Sequence, residues 1–453
     1  MVIIMELKKY KNRNKRKPYV ILMIGFLLIS ISTYLFYKSY ALYEEAKNFD
    51  VINGTVEDPG DIYFAYYIDG EISREMPKQN TGYVFDEEKS SCTNGVKITW
   101  NHSTWQGITD YANYNATSNT RTKCTLYFNK TSKTVSTVLG SIEVNSYTPD
   151  LTKSACDDDS CESHEKGIYE TTDYDGNPTY YYRGSVENNY LKFSGYYWRI
   201  IRINSNGSIR MIYDGTIAHS NGESSTDRQY DRSHFNTIYD KNEYLGYMYS
   251  VGEAHGIGTS STIKENVDKF YIAKLSNFSS KIDTSRGYCG DRSSLNLLTG
   301  TGTDTVTTYN AGYLRVIEST PTLICENASD YYTVSNATIG NKALAYPIGL
   351  ISIDEVMFAG HAGGIFSGKI NHQVVNKTNY LAIGNVYWTM TPVGGFEPFG
   401  ESLRYTTVFG IRSDGTFGDY YVGYNAGIRP VVNIRSDVTI TGSGTMTDPY
   451  VIN

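Results

Sequence analysis

The side chains able to do chemistry fall in three stretches. His219, Glu223 and Asp227 stand in the polar segment from Ala218 to Arg228, with His234 just beyond. An imidazole near two carboxylates is raw material for general acid–base work. Solvated side chains explain such a loop more simply. The chain holds no HExxH, GxSxG or SxxK arrangement and no phosphate loop to supply a nucleophile or a metal site. The expectation is no catalytic residue, no metal and no cofactor. A catalytic reading would require these four side chains to converge within hydrogen-bond reach.

The second stretch is Cys156-Asp157-Asp158-Asp159-Ser160-Cys161. Three aspartates can offer calcium its oxygen ligands. The glycine and spaced acids of a calcium loop are missing, so an exposed acidic loop closed by a local disulfide is preferred. The six cysteines group along the chain as Cys92 with Cys124, Cys156 with Cys161, and Cys289 with Cys325. Sequence alone leaves fifteen pairings open. Nearest-neighbour pairing is expected because each pair falls inside one apparent structural unit. Zinc needs clustered cysteine pairs or histidines, and only His164 lies near Cys161.

The third stretch is aromatic. Phe396, Glu397, Arg404, Tyr405, Asp419, Tyr420, Tyr421, Tyr424 and Asn425 lie close along the chain, with Trp388 a little earlier. Rigid rings beside Arg and Asn suit a binding surface, because they bury area at low entropy cost. The competing reading is that these tyrosines decorate sheet faces.

The element that positions everything else is the apolar run at 19–37, YVILMIGFLLISISTYLFY, which carries no charge. At about 1.5 Å per residue it spans roughly 28 Å, against a hydrocarbon core of about 30 Å. Seven basic residues precede it, and only Lys38 follows closely. Lys and Arg stay on the cytoplasmic side, so everything after Tyr37 is expected outside. The run exceeds the 7–15 residues typical of a signal-peptide h-region. An uncleaved anchor is therefore preferred to cleavage near Ser39-Tyr40-Ala41. The expected order is a cytoplasmic tail at 1–18, a membrane helix at 19–37, a linker at 38–60, a small β-sandwich stalk at 61–130 and a head at 146–453.

Net charge is −7, yet residues 1–17 carry +6, which leaves −13 for the rest. That acidity argues against nucleic acid as a partner. Forty-two tyrosines point to strands. In the stalk, Ile62–Ile68, Thr81–Phe85, Val96–Trp100 and Lys123–Phe128 read as strands, with a turn at Asp69-Gly70. Further on, Tyr196–Ile203 and Ser208–Tyr213 form a hairpin with one buried face. Thr262–Leu275 is the strongest helix, with Thr262 and Glu265 as its capping box and Ile263, Val267, Phe270 and Tyr271 on its core face, and Ile353–Ala359 is a second behind Ser352 and Glu355, with Gly360 where a left-handed stop belongs. Val386–Met390 is a strand ending at Thr391-Pro392, and Gly427–Ile434 is one strand, at an edge or bulged near Pro430. The fold class is mainly β with a few helices.

GYYWRIIRINSNGSIRMIYDGT, YPIGLISIDEVMFAG, YWTMTP and GIRPVVNI together resemble a group of bacterial membrane-anchored surface proteins of Gram-positive type. Their C-terminal domain is similar to the C-type-lectin-like fold shared with formylglycine-generating enzymes. The resemblance covers about 180–453. It implies a last strand returning beside the first, so that Gly427–Ile434 lies near the Tyr196 strand, with ligand-facing loops at 396–405 and 418–425. Formylglycine-generating activity would need late cysteines, and none follows Cys325. Calcium-dependent sugar binding would need motifs of which only Glu397-Pro398 is present. The expected function is a non-catalytic, membrane-anchored adhesion or binding protein for a glycan, cell-wall or protein ligand. A structural envelope protein ranks second and an extracellular enzyme third.

Overall fold

The computed structural model describes residues 62–78, 83–93, 95–101, 105–110, 122–130, 133–135, 142–295, 308–336, 338–362, 364–366, 369–371, 377–396 and 405–452. The basic tail, the apolar run at 19–37 and the linker lie outside the described residues. Among the described residues no helix is long and apolar enough to cross a membrane. The chain divides into two compact units, 1–131 and 132–453.

The first unit contains β1 (Ile62–Ile68), β2 (Glu71–Ser73), β3 (Tyr83–Phe85), β4 (Ser91–Cys92), β5 (Lys97–Asn101), β6 (Gln106–Asp110) and β7 (Thr122–Lys130). Asp69 and Gly70 both take positive φ, 51° and 87°, which makes the tight turn from β1 to β2. The sheet runs β2-β1-β7-β3 with β4 also on β7, and β1 lies parallel to β7. The separate β5–β6 hairpin brings Trp100 onto Phe85 and Phe128. Cys92 and Cys124 face one another across β4 and β7 and are bonded. A core this small gains much from such a staple.

The second unit begins earlier than 146, since β8 (Lys133–Thr134) already belongs to its larger sheet. Next come β9 (Gly167–Thr172), β10 (Pro178–Arg183), β11 (Tyr190–Phe193), β12 (Tyr196–Ile203), β13 (Ile209–Gly215), β14 (Asp231–Ser233), β15 (Met248–Tyr249) and β16 (Thr259–Ser260). Helix α1 (Thr262–Phe270), β17 (Tyr288–Cys289), β18 (Thr308–Tyr309), α2 (Ala311–Glu318), β19 (Tyr331–Tyr332) and α3 (Ile353–Phe358) follow. The chain continues through β20 (Gly364–Phe366), β21 (Lys369–Asn371), β22 (Tyr387–Phe396), β23 (Tyr405–Ile411) and β24 (Phe417–Tyr421). It closes with β25 (Ala426–Ile428), β26 (Val431–Ile434), β27 (Thr439–Thr441) and β28 (Tyr450–Ile452). One sheet runs β26-β13-β12-β11-β28-β27-β8, with β10 on β12 and β9 on β10. The other runs β14-β25-β22-β23-β24, with β18 on β22.

Five expectations need correction. The β12–β13 hairpin is present, but every residue of β13 is buried, so neither face meets water. Arg210 is tolerated there because Glu355 and the Gly287 carbonyl accept its protons. The cap of α1 is Ser261, one residue before Thr262, and its hydroxyl accepts from the Lys264 N–H. Strand β22 does not stop at Pro392. Register shifts on either side carry the donor-less proline through the strand. The stretch 427–434 is two strands in two sheets, because the chain changes sheet at Arg429-Pro430. Pro430 still fits there, its carbonyl accepting from the Tyr213 N–H. The stretch 427–434, expected beside the Tyr196 strand, pairs through β26 with β13 instead and so lies one strand away from β12, while the last strand, β28, runs parallel to β11.

Other expectations hold. Ile263, Val267, Phe270 and Tyr271 are core. Ser352 and Glu355 form the capping box of α3, which ends at Gly360 with φ 106°. Strand β26, next to Pro430, is at the end of its sheet order. All three cysteine pairs bond as nearest neighbours.

Candidate functional site

Three of the four catalytic candidates do converge. His219 is buried, its Nδ1 lies 2.8 Å from Glu223 Oε1, and its Nε2 lies 2.8 Å from Asp227 Oδ1. The second contact is an ion-pair approach without the alignment of a hydrogen bond. The hydrogen bond from His219 is the main reason the Glu223 carboxyl is held below its usual range. Burial pushes the Asp227 carboxyl up, but hydrogen bonds from Ser225 and the Thr216 N–H, with the close approach of His219, outweigh it and bring it well below its usual range. His234 stands apart, with Nδ1 donating to the Gly423 carbonyl.

This cluster has the look of a proton relay and the wiring of a clamp. Both imidazole nitrogens face carboxylates. The nearby hydroxyls of Ser220 and Ser225 donate to Glu223 and Asp227 and not to the ring. A serine nucleophile needs its base on the hydroxyl itself. The bonds instead shape the loop. Glu223 Oε2 accepts from the Ser220 N–H at 3.0 Å, and buried Arg228 donates to the Glu223 carbonyl at 2.7 Å. Gly222, at φ 73°, closes the loop onto 377–378, because a Cβ there would sit on the Lys377 carbonyl.

What the clamped loop presents is one wall of a cleft of about 410 Å³. Ser220 and Asn221 line it from this loop, Ser185, Glu187 and Tyr190 from the entry to β11, Asp157 and Thr378 from a third side, and Thr445, Met446 and Thr447 from the turn before β28. Its volume lies within the roughly 300–1,000 Å³ of small-molecule sites. Its walls are well fixed. Ser185 Oγ donates to the Thr378 carbonyl at 2.7 Å, and Thr378 Oγ1 accepts from the Asp157 N–H at 2.9 Å. Asn221 is bound on both sides, accepting from Arg199 at 2.8 Å and donating to the Val186 carbonyl at 3.0 Å. Tyr190 donates to the His219 carbonyl at 2.8 Å, and its ring lies 3.7 Å from the Arg199 guanidinium.

Behind this wall three buried arginines, Arg199, Arg228 and Arg429, share one aspartate, Asp214, at 4.0, 2.8 and 2.8 Å. Burial without a full counter-charge draws the Arg199 guanidinium down to about 10.

The aromatic stretch is dispersed by the fold. Trp388 is core: it is fully buried, its Nε1 donates to the Ser233 carbonyl, and its ring meets Phe235 edge-on. It cannot face a ligand as expected. Tyr420 is half-buried against Trp388 and pairs with exposed Tyr424, ring centroids 5.1 Å apart. Tyr421, the next residue on β24, points the other way and meets Tyr239 at 5.1 Å. Asp419 is exposed, and the Asn425 carbonyl accepts from Arg232. Glu397 and Arg404 lie outside the described residues, as do the side chains of Phe396 and Tyr405. In the acidic loop, Cys156 and Cys161 are bonded, Asp158 accepts from the Ser160 N–H, and Asp157 pairs with Lys166.

Sequence reasoning missed most of the cleft. Its residues come from five segments, 157, 185–190, 220–221, 378 and 445–447, and no local motif joins them. Only Asp157, in the acidic loop, and Ser220 and Asn221, in the polar segment 218–228, fall in stretches the sequence singles out. The chain matches no protein-family model, no curated protein and no solved structure.

Proposed function

We propose that this chain is a non-catalytic binding protein, held at a membrane by the apolar run at 19–37, that presents the second unit outside the cell to a small polar ligand. The cleft carries this reading. Rigid, hydrogen-bonded walls of polar side chains suit recognition. The neighbouring histidine has both nitrogens committed, which favours binding over turnover. Three disulfides suit an oxidising exterior. The C-type-lectin-like assignment rests on the sequence motifs alone.

The test is retention of the full-length protein, in detergent micelles, on immobilised glycans and cell-wall fragments. Thr447 is exposed at the cleft rim, so Thr447→Trp fills the cleft without touching the core. Retention is expected to be lost in T447W. It is expected to persist when Tyr421 and Tyr424 are both changed to Ala. The opposite pattern would move the site to the β24 edge, where Tyr239 and Tyr424 are 38% and 42% exposed. For the anchor, protease added to intact cells should remove the second unit.

A further inference from the structure

The cleft's own hydrogen bonding narrows what it can hold. We infer that the ligand is a neutral saccharide whose hydroxyls donate to the cleft, chiefly to Glu187 and Asp157; this rests on the cleft being the binding site.

The argument begins with protons already spent. Ser185 donates to the Thr378 carbonyl, Ser220 to Glu223, and Tyr190 to the His219 carbonyl. Each of these hydroxyls has given away its single hydrogen and keeps acceptor capacity alone. Asn221 has its oxygen on Arg199 and one of its two amide hydrogens on the Val186 carbonyl, which leaves it a single donor. The carboxylates of Asp157 and Glu187 are acceptors only. Among the described residues no lysine or arginine lines the cleft. Thr378, Thr445 and Thr447 add hydroxyls that can donate as well as accept, so it is the two carboxylates that tilt the walls towards donors on the ligand. Phosphates, sulfates and carboxylates bring acceptors and negative charge, so they suit this cleft poorly.

Donors come on hydroxyls or on ammonium groups, and charge separates the two. A cation would gain from Asp157 and Glu187. Asp157 is already paired with Lys166 at 3.3 Å. Behind Tyr190 and Asn221 the three arginines on Asp214 leave an excess of positive charge. Glu223 and Asp227 are turned onto His219. Acids at the rim and cations behind the wall offset one another, so the cleft offers no strong field for an ion of either sign. Neutral hydroxyls still gain, because O–H to carboxylate bonds are short and about twice as strong as neutral ones. Met446, 41% exposed at the rim, offers an apolar surface to the C–H face of a sugar ring.

The experiment is calorimetric titration of the full-length protein in micelles. The neutral probes are glucose, N-acetylglucosamine and its β-linked dimer, the anionic probes are glucose 6-phosphate and N-acetylneuraminate, and the cationic probes are glucosamine and spermidine. At least one neutral sugar should bind, at least tenfold more weakly to E187Q and not at all to T447W, with both variants keeping the parent melting temperature. Binding of only a charged probe, lost in T447W, would leave the cleft as the site and overturn the saccharide assignment. Neutral binding unchanged in both variants, or no binding of any probe, would overturn the assignment and the cleft together.

Discussion

Glu355 serves two structures at once. Its carboxylate closes the capping box of α3 through the Ser352 N–H, and it accepts from Arg202 and Arg210. Burial pushes this carboxyl up, and the two guanidiniums more than reverse that, so it stays ionised below the usual carboxylate range. Removing one member of a buried charge network leaves the others uncompensated, at about 3–5 kcal/mol. Glu355→Gln should therefore lose that much in denaturant unfolding. His361 shows the opposite shift. Burial draws it down to about 4 from 6.5, with Nδ1 donating to the Gly415 carbonyl. The unfolded chain takes up a proton below pH 6.5 that the folded chain refuses until about pH 4. This contribution is complete above pH 6.5 and is lost as the pH falls towards 4, by about 3 kcal/mol in all. Replacing His361 by Gln should flatten the fall in stability across that window.

Among the elements, loop 218–228 ties local structure most directly to the cleft. Its shape depends on Gly222, whose positive φ and contact with Lys377 admit no Cβ. Gly222→Ala should push Ser220 and Asn221 off the cleft wall, weakening ligand retention more than it lowers the melting temperature. Helix α1 makes a smaller, separable case. Loss of the Ser261 hydroxyl in Ser261→Ala should cost about 1 kcal/mol, read by thermal unfolding. The strands explain why element boundaries were harder to foresee than element types. Alternation in β13 predicted one buried face, yet a layer lies on each side and Arg210 finds its acid 145 residues away. Pro392 reads as the end of a strand and Pro430 as an edge or bulge within one, and the structure reverses the two: Pro392 is carried through on bulges and Pro430 marks a change of sheet, an outcome local sequence does not separate.

At the scale of the molecule the disulfides divide unequally. Closing loops of 32 and 36 residues is worth about 4 kcal/mol each, and closing the 5-residue loop about 2. Cys92–Cys124 stands in the smaller unit, whose buried cluster among the described residues is Tyr66, Phe85, Cys124, Leu126 and Phe128. The second unit has a core many times larger. Mild reduction should unfold the first unit at a lower temperature while the second keeps its own transition, as two-step calorimetric melting would record. A single shared transition that reduction leaves unmoved would contradict this division.

The linear chain determined what depends on near neighbours. Asp69-Gly70 had to turn, Ser352 and Glu355 had to cap a helix, and 62–68 had to be a strand, because turn, cap and alternation are set within a few residues. Cysteine grouping was legible for the same reason. Tertiary structure alone decided where the burial went. It sent Trp388 to the core, parted Tyr420 from Tyr421, and wrapped two carboxylates round His219. It gathered Asp157, Glu187, Asn221, Thr378 and Thr447 into one cleft. His219 and its carboxylates share one short window that names the partners but not their burial, whereas the cleft joins residues that no window of the sequence contains together.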